Sequence, residues 1–241
     1  MFLKRKDAFC HFNKESIIGE ELDTLPVGRY IGTSAEGMFG DTHCFAPIKT
    51  NKVIPVSGGK FDVINQRVLP FFSEDSADTH KKLGFNHYLG VILHGKPGTG
   101  KTKYIEWLTK IMKVPTVYLS DIPTIRLLPK LIKAFDGKQV AFVIEEFDMF
   151  LRDYAVRQVI GAIGDGVHSV NNVILLTTTN HINEVPGAFK NRPTRFSVVE
   201  EIDYLPNDVI EDFIMKSLSV VDSEKLKKID TGLLQPYGKQ Q

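Results

Sequence analysis

Eight consecutive residues, Gly95-Lys96-Pro97-Gly98-Thr99-Gly100-Lys101-Thr102, have the types and spacing to hold a run of phosphoryl groups. They fit the pattern G-x-x-x-x-G-K-[ST]. The glycines let the backbone curl with its N–H groups turned inward, and a helix starting at the lysine adds the positive end of its dipole. Such a loop needs a strand before it and a helix after it. Val91-Ile92-Leu93 reads as a buried strand, and Lys101–Met112 reads as a helix with apolar positions at Ile105, Leu108, Ile111 and Met112. In that setting the segment Gly95–Lys103 would cradle a triphosphate. Lys101 would reach the β- and γ-phosphates, and the Thr102 hydroxyl would ligate Mg²⁺.

A second cluster complements the first. Ala141-Phe142-Val143-Ile144 is an apolar strand that runs into Glu145, Glu146 and Asp148. Beside a phosphate loop, two adjacent acids can divide two tasks. Glu145 would supply the oxygen that a hard cation wants, and Glu146 would orient and activate an attacking water. Asp148 would support them or shape the following turn.

The elements that must position these groups alternate along the chain. Strand-like runs cover Val91–Leu93, Thr116–Leu119, Val140–Ile144, Val173–Thr177 and Phe196–Val199. Helical runs lie near Lys101–Met112, Thr124–Phe135 and Val156–Ile163. This alternation predicts an α/β fold, a parallel sheet flanked by helices, with ligand at the carboxyl ends of the strands. Residues 1–60 differ. Short apolar stretches (Arg29–Ile31, Cys44–Ala46, Lys52–Ile54) between Gly, Pro, Ser and Thr predict small strands and loops, an N-terminal β-rich appendage. After residue 205 one helix is predicted over Asn207–Ser219, with Ile210, Phe213, Ile214 and Leu218 on one face, and a shorter one near 223–229.

Composition is ordinary for a globular chain, 42% hydrophobic and 24% charged with a net charge of +1. No apolar run spans a bilayer, Met1-Phe2-Leu3 followed by Lys4-Arg5-Lys6 inverts the order of a secretory signal, and charge gives no support for nucleic-acid binding. The two cysteines, Cys10 and Cys44, suit a reducing, cytoplasmic setting. Each adjoins a histidine, His11 and His43, but adjacent ligands are poor spacing for a zinc site.

Together these segments resemble the AAA ATPase family over roughly residues 61–205. Lys82-Leu83-Gly84-Phe85 and Leu89–Gly95 resemble its lead-in to the nucleotide loop. Glu145-Glu146-Phe147-Asp148 resembles its Asp-Glu-x-Asp segment, with Glu in place of the usual Asp. Asp165-Gly166 resembles the pair closing the next helix, Leu175–Asn180 the sensor strand, and Arg192-Pro193-Thr194-Arg195-Phe196 the Arg-Pro-Gly-Arg-Phe segment. The resemblance implies an AAA core at 61–205, a short helical lid at 206–241, ATP and Mg²⁺ as ligands, and self-association into a ring, six-membered in the family. It implies that Asn180 contacts the γ-phosphate or the water, and that Arg192 and Arg195 reach a neighbouring copy's site. It places an adenine contact at Phe61–Ile64. The segment after Ser120 lacks the signature of a peptide-gripping pore loop, and no arginine after Arg195 stands in for a lid arginine.

The expected function is an ATP-hydrolysing ring that remodels a macromolecular client, a protein more than a nucleic acid. A nucleotide-gated binding module with little hydrolysis is the alternative. A small-molecule kinase and a clamp-loader-like role on DNA stand behind these, and solution mass with and without nucleotide discriminates among them.

Overall fold

The structure, a computed structural model, describes residues 2–5, 8–12, 20–35, 42–49, 58, 60–203, 207, 210, 211, 214 and 215. The predicted strand at Lys52–Ile54 and helix near 223–229 lie outside these residues. Of the predicted helix at 207–219, the described positions are helical. In chain order come β1 (Phe2–Arg5), β2 (Ala8–Phe12), β3 (Glu20–Leu22), β4 (Arg29–Ala35), β5 (Thr42–Pro47), α1 (Lys60–Val68) and α2 (Glu74–Lys82). Then follow β6 (His87–His94), α3 (Lys101–Met112), β7 (Thr116–Leu119), α4 (Ile122–Arg126), α5 (Leu128–Ala134) and β8 (Val140–Ile144). The last are α6 (Phe147–Phe150), α7 (Tyr154–Gly164), β9 (Asn171–Thr179), α8 (Gly187–Lys190) and β10 (Val198–Glu201).

All the described strands share one sheet, in the order β10-β6-β9-β8-β7-β4-β5-β2-β1-β3. From β10 to β4 the pairing is parallel, and from β4 onward it is antiparallel. The strands of the first 47 residues thus continue the sheet that carries the phosphate loop. β4 is the seam, with Arg29 opposite Thr116 and Tyr30 opposite Val117.

Alternation along the central strands sorts their side chains into two cores. Ile92, Phe142, Ile144 and Leu175 point to the layer with α5 and α7. Val91, Leu93, Val143, Ile174 and Leu176 point to the layer with α1 and α3. Covered on both faces, β8 is buried at every position, which is why it reads as an unbroken apolar run. On α3, Tyr104, Ile105 and Leu108 form the buried stripe.

Local chemistry sets the helix boundaries. The Asp121 carboxylate caps α4 by accepting from the Thr124 N–H at 2.8 Å, and Asp153 caps α7 through the Val156 N–H at 3.0 Å. The single helix expected over Thr124–Phe135 is two. Pro129 has no N–H for the Ile125 carbonyl, and its ring collides with that carbonyl in a continuous helix, so the chain breaks at Leu127 and restarts.

Candidate functional site

At the carboxyl ends of β6, β7, β8 and β9 lies a cavity of about 610 Å³. The loop side is formed by Pro97, Gly98, Gly100, Lys101, Thr102 and Lys103. Glu145, Glu146, Thr178 and Asn180 face it from the strand ends, with Tyr118 and Phe150 beside them.

The loop keeps its path by close approach. Gly95 has φ 142°, and a Cβ there would lie 2.0 Å from the Ile202 carbonyl oxygen, so only glycine fits. Lys101 opens α3 and is 7% exposed. Its Nζ donates to the carbonyls of Gly95 and Lys96, both at 2.7 Å, and to Thr99 Oγ1 at 3.4 Å. Burial pushes this ammonium below the usual lysine range. A cation satisfied only by neutral oxygens of its own loop is poised for a better acceptor.

The acids are set differently from one another. Glu145 is half-buried, and its Oε1 is buried without a hydrogen-bond partner. Glu146 is exposed and holds a left-handed backbone, φ 51°, with its N–H donating to Thr178 Oγ1 at 3.3 Å. A non-glycine residue in that region carries strain of about 1–3 kcal/mol, which the surroundings must enforce. Asp148 is buried and accepts from Thr179 Oγ1, whose oxygen in turn accepts from the His181 N–H at 2.9 Å. This latch fixes the strand end that carries Asn180.

The residues fit a small hard cation. Glu145 offers an orphaned buried oxygen and Thr102 a hydroxyl on the same cavity. Among the described residues no cluster of three or more His, Cys, Asp or Glu side chains could hold a metal by itself. That suits Mg²⁺, which is typically held by one or two protein oxygens plus phosphates and waters. On β5, His43 is buried and Cys44 half-exposed, as strand alternation requires, so these neighbours face opposite sides and cannot share one ion.

Arg192 and Arg195 do not line the cavity. Arg195, 13% exposed, donates through Nε to Asp165 Oδ1 at 2.7 Å, through Nη2 to Asp165 Oδ2, and through Nη1 to the Ala188 carbonyl at 3.3 Å. Its guanidinium lies 5.2 Å from the Phe189 ring centroid. The hydrogen bonds from Arg195 hold the Asp165 carboxyl below its usual range. Arg192 is more exposed and stands 3.6 Å from the same carboxylate. Phe61–Ile64, the expected adenine contact, is not among the residues that line the cavity. Phe61 is buried with its ring stacked on Tyr104 at 4.6 Å, because α1 turns it into the core.

Tyr118, Phe150 and Thr178 were not singled out from sequence. Tyr118 and Thr178 near strand ends that converge with the loop carry the only signal, and it is visible once the strand order is known.

A phosphate loop after one strand, and acids after the strand two places away in a parallel sheet, define a P-loop nucleotide-binding α/β domain. Residues 91–204 match the family described as ATPase family associated with various cellular activities (AAA). It is similar to the vesicle-fusing ATPase of Dictyostelium discoideum, 28% identical over 157 residues that cover 53% of this chain and 21% of that protein. It is also similar to the vesicular-fusion protein SEC18 of Candida albicans, 26% identical over 175 residues, 60% of this chain and 21% of that protein. The matched stretch thus spans about a fifth of each of these relatives. Among the described residues no helix is long and apolar enough to cross a membrane.

Proposed function

We propose that the chain binds ATP with Mg²⁺, hydrolyses its terminal anhydride, and acts in the cytoplasm as a ring of copies, six by family resemblance, that remodels a protein client. One observation carries this reading. The lysine-bearing loop, the orphaned Glu145 oxygen and the strained Glu146 converge on one cavity.

The roles follow from chemistry. Inward N–H groups of the loop and Lys101 bind the phosphates. Thr102 and Glu145 hold the cation, which when bound neutralises charge on the phosphoryl oxygens. Glu146 accepts a proton from the attacking water, and Asn180 orients that water. Arg192 and Arg195 complete the site of an adjoining copy.

The test is Glu146→Gln. The amide keeps the shape of the side chain and removes its basicity. Turnover is expected to fall about 10²–10⁴-fold, with ATP-bound assemblies accumulating in solution mass measurements. Unchanged phosphate release removes Glu146 from the role of base.

A second reading, a nucleotide-gated binding module, draws on Glu145, one methylene longer than the family's Asp, and on the pairing of Arg195 within its own chain. Phosphate release measured with and without Mg²⁺ separates the two.

A further inference from the structure

One side chain of the seam strand β4 touches the wall of the nucleotide cavity. Arg29 opens β4, and its side chain is 11% exposed. Nη2 donates to the Tyr118 hydroxyl oxygen at 2.9 Å and to Glu106 Oε1 at 3.2 Å. The guanidinium carbon also lies 4.9 Å from the centre of the Tyr118 ring. Glu106, on α3, accepts at its other oxygen from Lys103 Nζ at 2.9 Å. The two ends of this network, Tyr118 and Lys103, both line the cavity, and its centre belongs to a strand outside the phosphate-loop domain.

We propose that Arg29 is a positioning residue for the nucleotide cavity, setting its Tyr118 wall from a strand that precedes the domain. This rests on the nucleotide reading of the cavity. The network has little slack. Arg29 Nε is buried with no partner, so a shift that breaks a second guanidinium contact strands more buried charge. Parallel pairing of β4 with β7 adds a backbone constraint, with Ile31 opposite Tyr118 itself.

Tyr118 is where this order reaches the chemistry. Its oxygen accepts from Arg29, which leaves the hydroxyl proton free to point elsewhere. Tyr118 on β7 and Glu145 just past the end of β8, its neighbour in the sheet, line the same cavity. Tyr118 therefore stands as a fixed neighbour of the carboxylate assigned to the cation. Groups that orient a metal-ligating carboxylate tune the affinity of the site without touching the metal.

The experiment is calorimetric titration of the full chain with ATP, in Mg²⁺ and in excess EDTA. The variants are Arg29→Ala, Arg29→Lys and Tyr118→Phe. The sole tryptophan, Trp107, follows Glu106 on α3 and reports by emission whether that helix keeps its packing. The increment in affinity that Mg²⁺ confers is expected to fall about tenfold in Arg29→Ala and Tyr118→Phe, with EDTA affinity and Trp107 emission unchanged. Arg29→Lys is expected to recover part of it, since an ammonium can donate to Glu106 and Tyr118 but cannot stack a planar guanidinium on the Tyr118 ring. Should Arg29→Ala not fold, Tyr118→Phe decides, because it deletes one oxygen and leaves the Arg29–Glu106 pair. A wild-type Mg²⁺ increment in Tyr118→Phe, or equal losses with and without Mg²⁺, overturns the proposal. Absence of heat from wild type in Mg²⁺ overturns the nucleotide reading itself, and this one with it.

Discussion

The phosphate-loop end of the sheet and the arginine corner handle charge in opposite ways. At the loop, Lys101 rests on neutral carbonyls, Glu145 keeps one buried oxygen unpaired, and Glu146 is held in a left-handed backbone. At the corner, Asp165 takes two hydrogen bonds from Arg195 and lies within ion-pair reach of Arg192. Space is cleared there as well, since a Cβ at Gly164 would lie 2.6 Å from the Arg195 Cα. The first region stores interaction for a ligand, and the second has already spent its own on the fold. Charge-assisted hydrogen bonds are worth about 1.5–3 kcal/mol each. An arginine that must leave such bonds to serve a neighbour starts at a disadvantage. Arg192, 57% exposed and making one long contact, is the freer of the two to reach across a subunit junction.

The largest effect is expected where the stored interaction is greatest. Among the described residues, Lys101→Ala removes the only side-chain cation buried at the loop end of the cavity. It is expected to lower kcat/KM for ATP by about 10²–10³-fold or more, with little change in melting temperature, because the lysine bonds only carbonyls and a hydroxyl of its own loop. Steady-state phosphate release paired with thermal unfolding checks this. A large loss of stability would put Lys101 among the groups that hold the fold and erase the contrast.

The arginine pair sharpens the contrast from the other side. Arg192→Ala and Arg195→Ala are both expected to cut turnover at least about a hundredfold while keeping ATP binding. Only Arg195→Ala should also destabilise the chain. Because the Asp165 carboxyl is held below its usual range, its contribution is complete above about pH 4 and disappears as pH falls through its lowered folded value. The difference in melting temperature between wild type and Arg195→Ala should therefore be widest near neutrality and close in acid. A difference that grows as pH drops would have the wrong sign.

Much of the candidate site is legible in the sequence because its chemistry is local. The phosphate loop is eight consecutive residues, and the acids follow their strand without a gap. Strands β7 and β8 match their expected limits at both ends because buried parallel strands are apolar runs closed by turn residues. What escaped is non-local or carries no residue signature. α2 has no buried residue and so no apolar stripe to betray it. The pairing of β4 with β7 joins segments more than eighty residues apart, and no periodicity in either announces the other. Glutamate is not a residue that advertises a left-handed backbone, so the strain at Glu146 was invisible. The arginines were visible, but their pairing with Asp165 was not, since three separate segments must close before the carboxylate is seen to face them.

The smallest expected effect tests whether the Asp148 latch belongs to the ligand-waiting region or to the fold. The Thr179 hydroxyl donates to buried Asp148 and accepts from the His181 N–H, so Asn180 sits between two anchored residues. Thr179→Val keeps the shape of the side chain and removes both bonds. Stability should fall by about 1–3 kcal/mol, the cost of leaving buried polar groups unpaired. Thr177→Val is the matched control. Its hydroxyl is equally buried and donates to the Val91 carbonyl at 2.9 Å, a bond between neighbouring strands three residues away from Asn180. The two variants should lose similar stability, but only Thr179→Val should also lose turnover, several-fold, with ATP affinity intact. Equal turnover in the two would mean that Asn180 does not need its anchors, and the latch would then be an interaction that serves the fold alone.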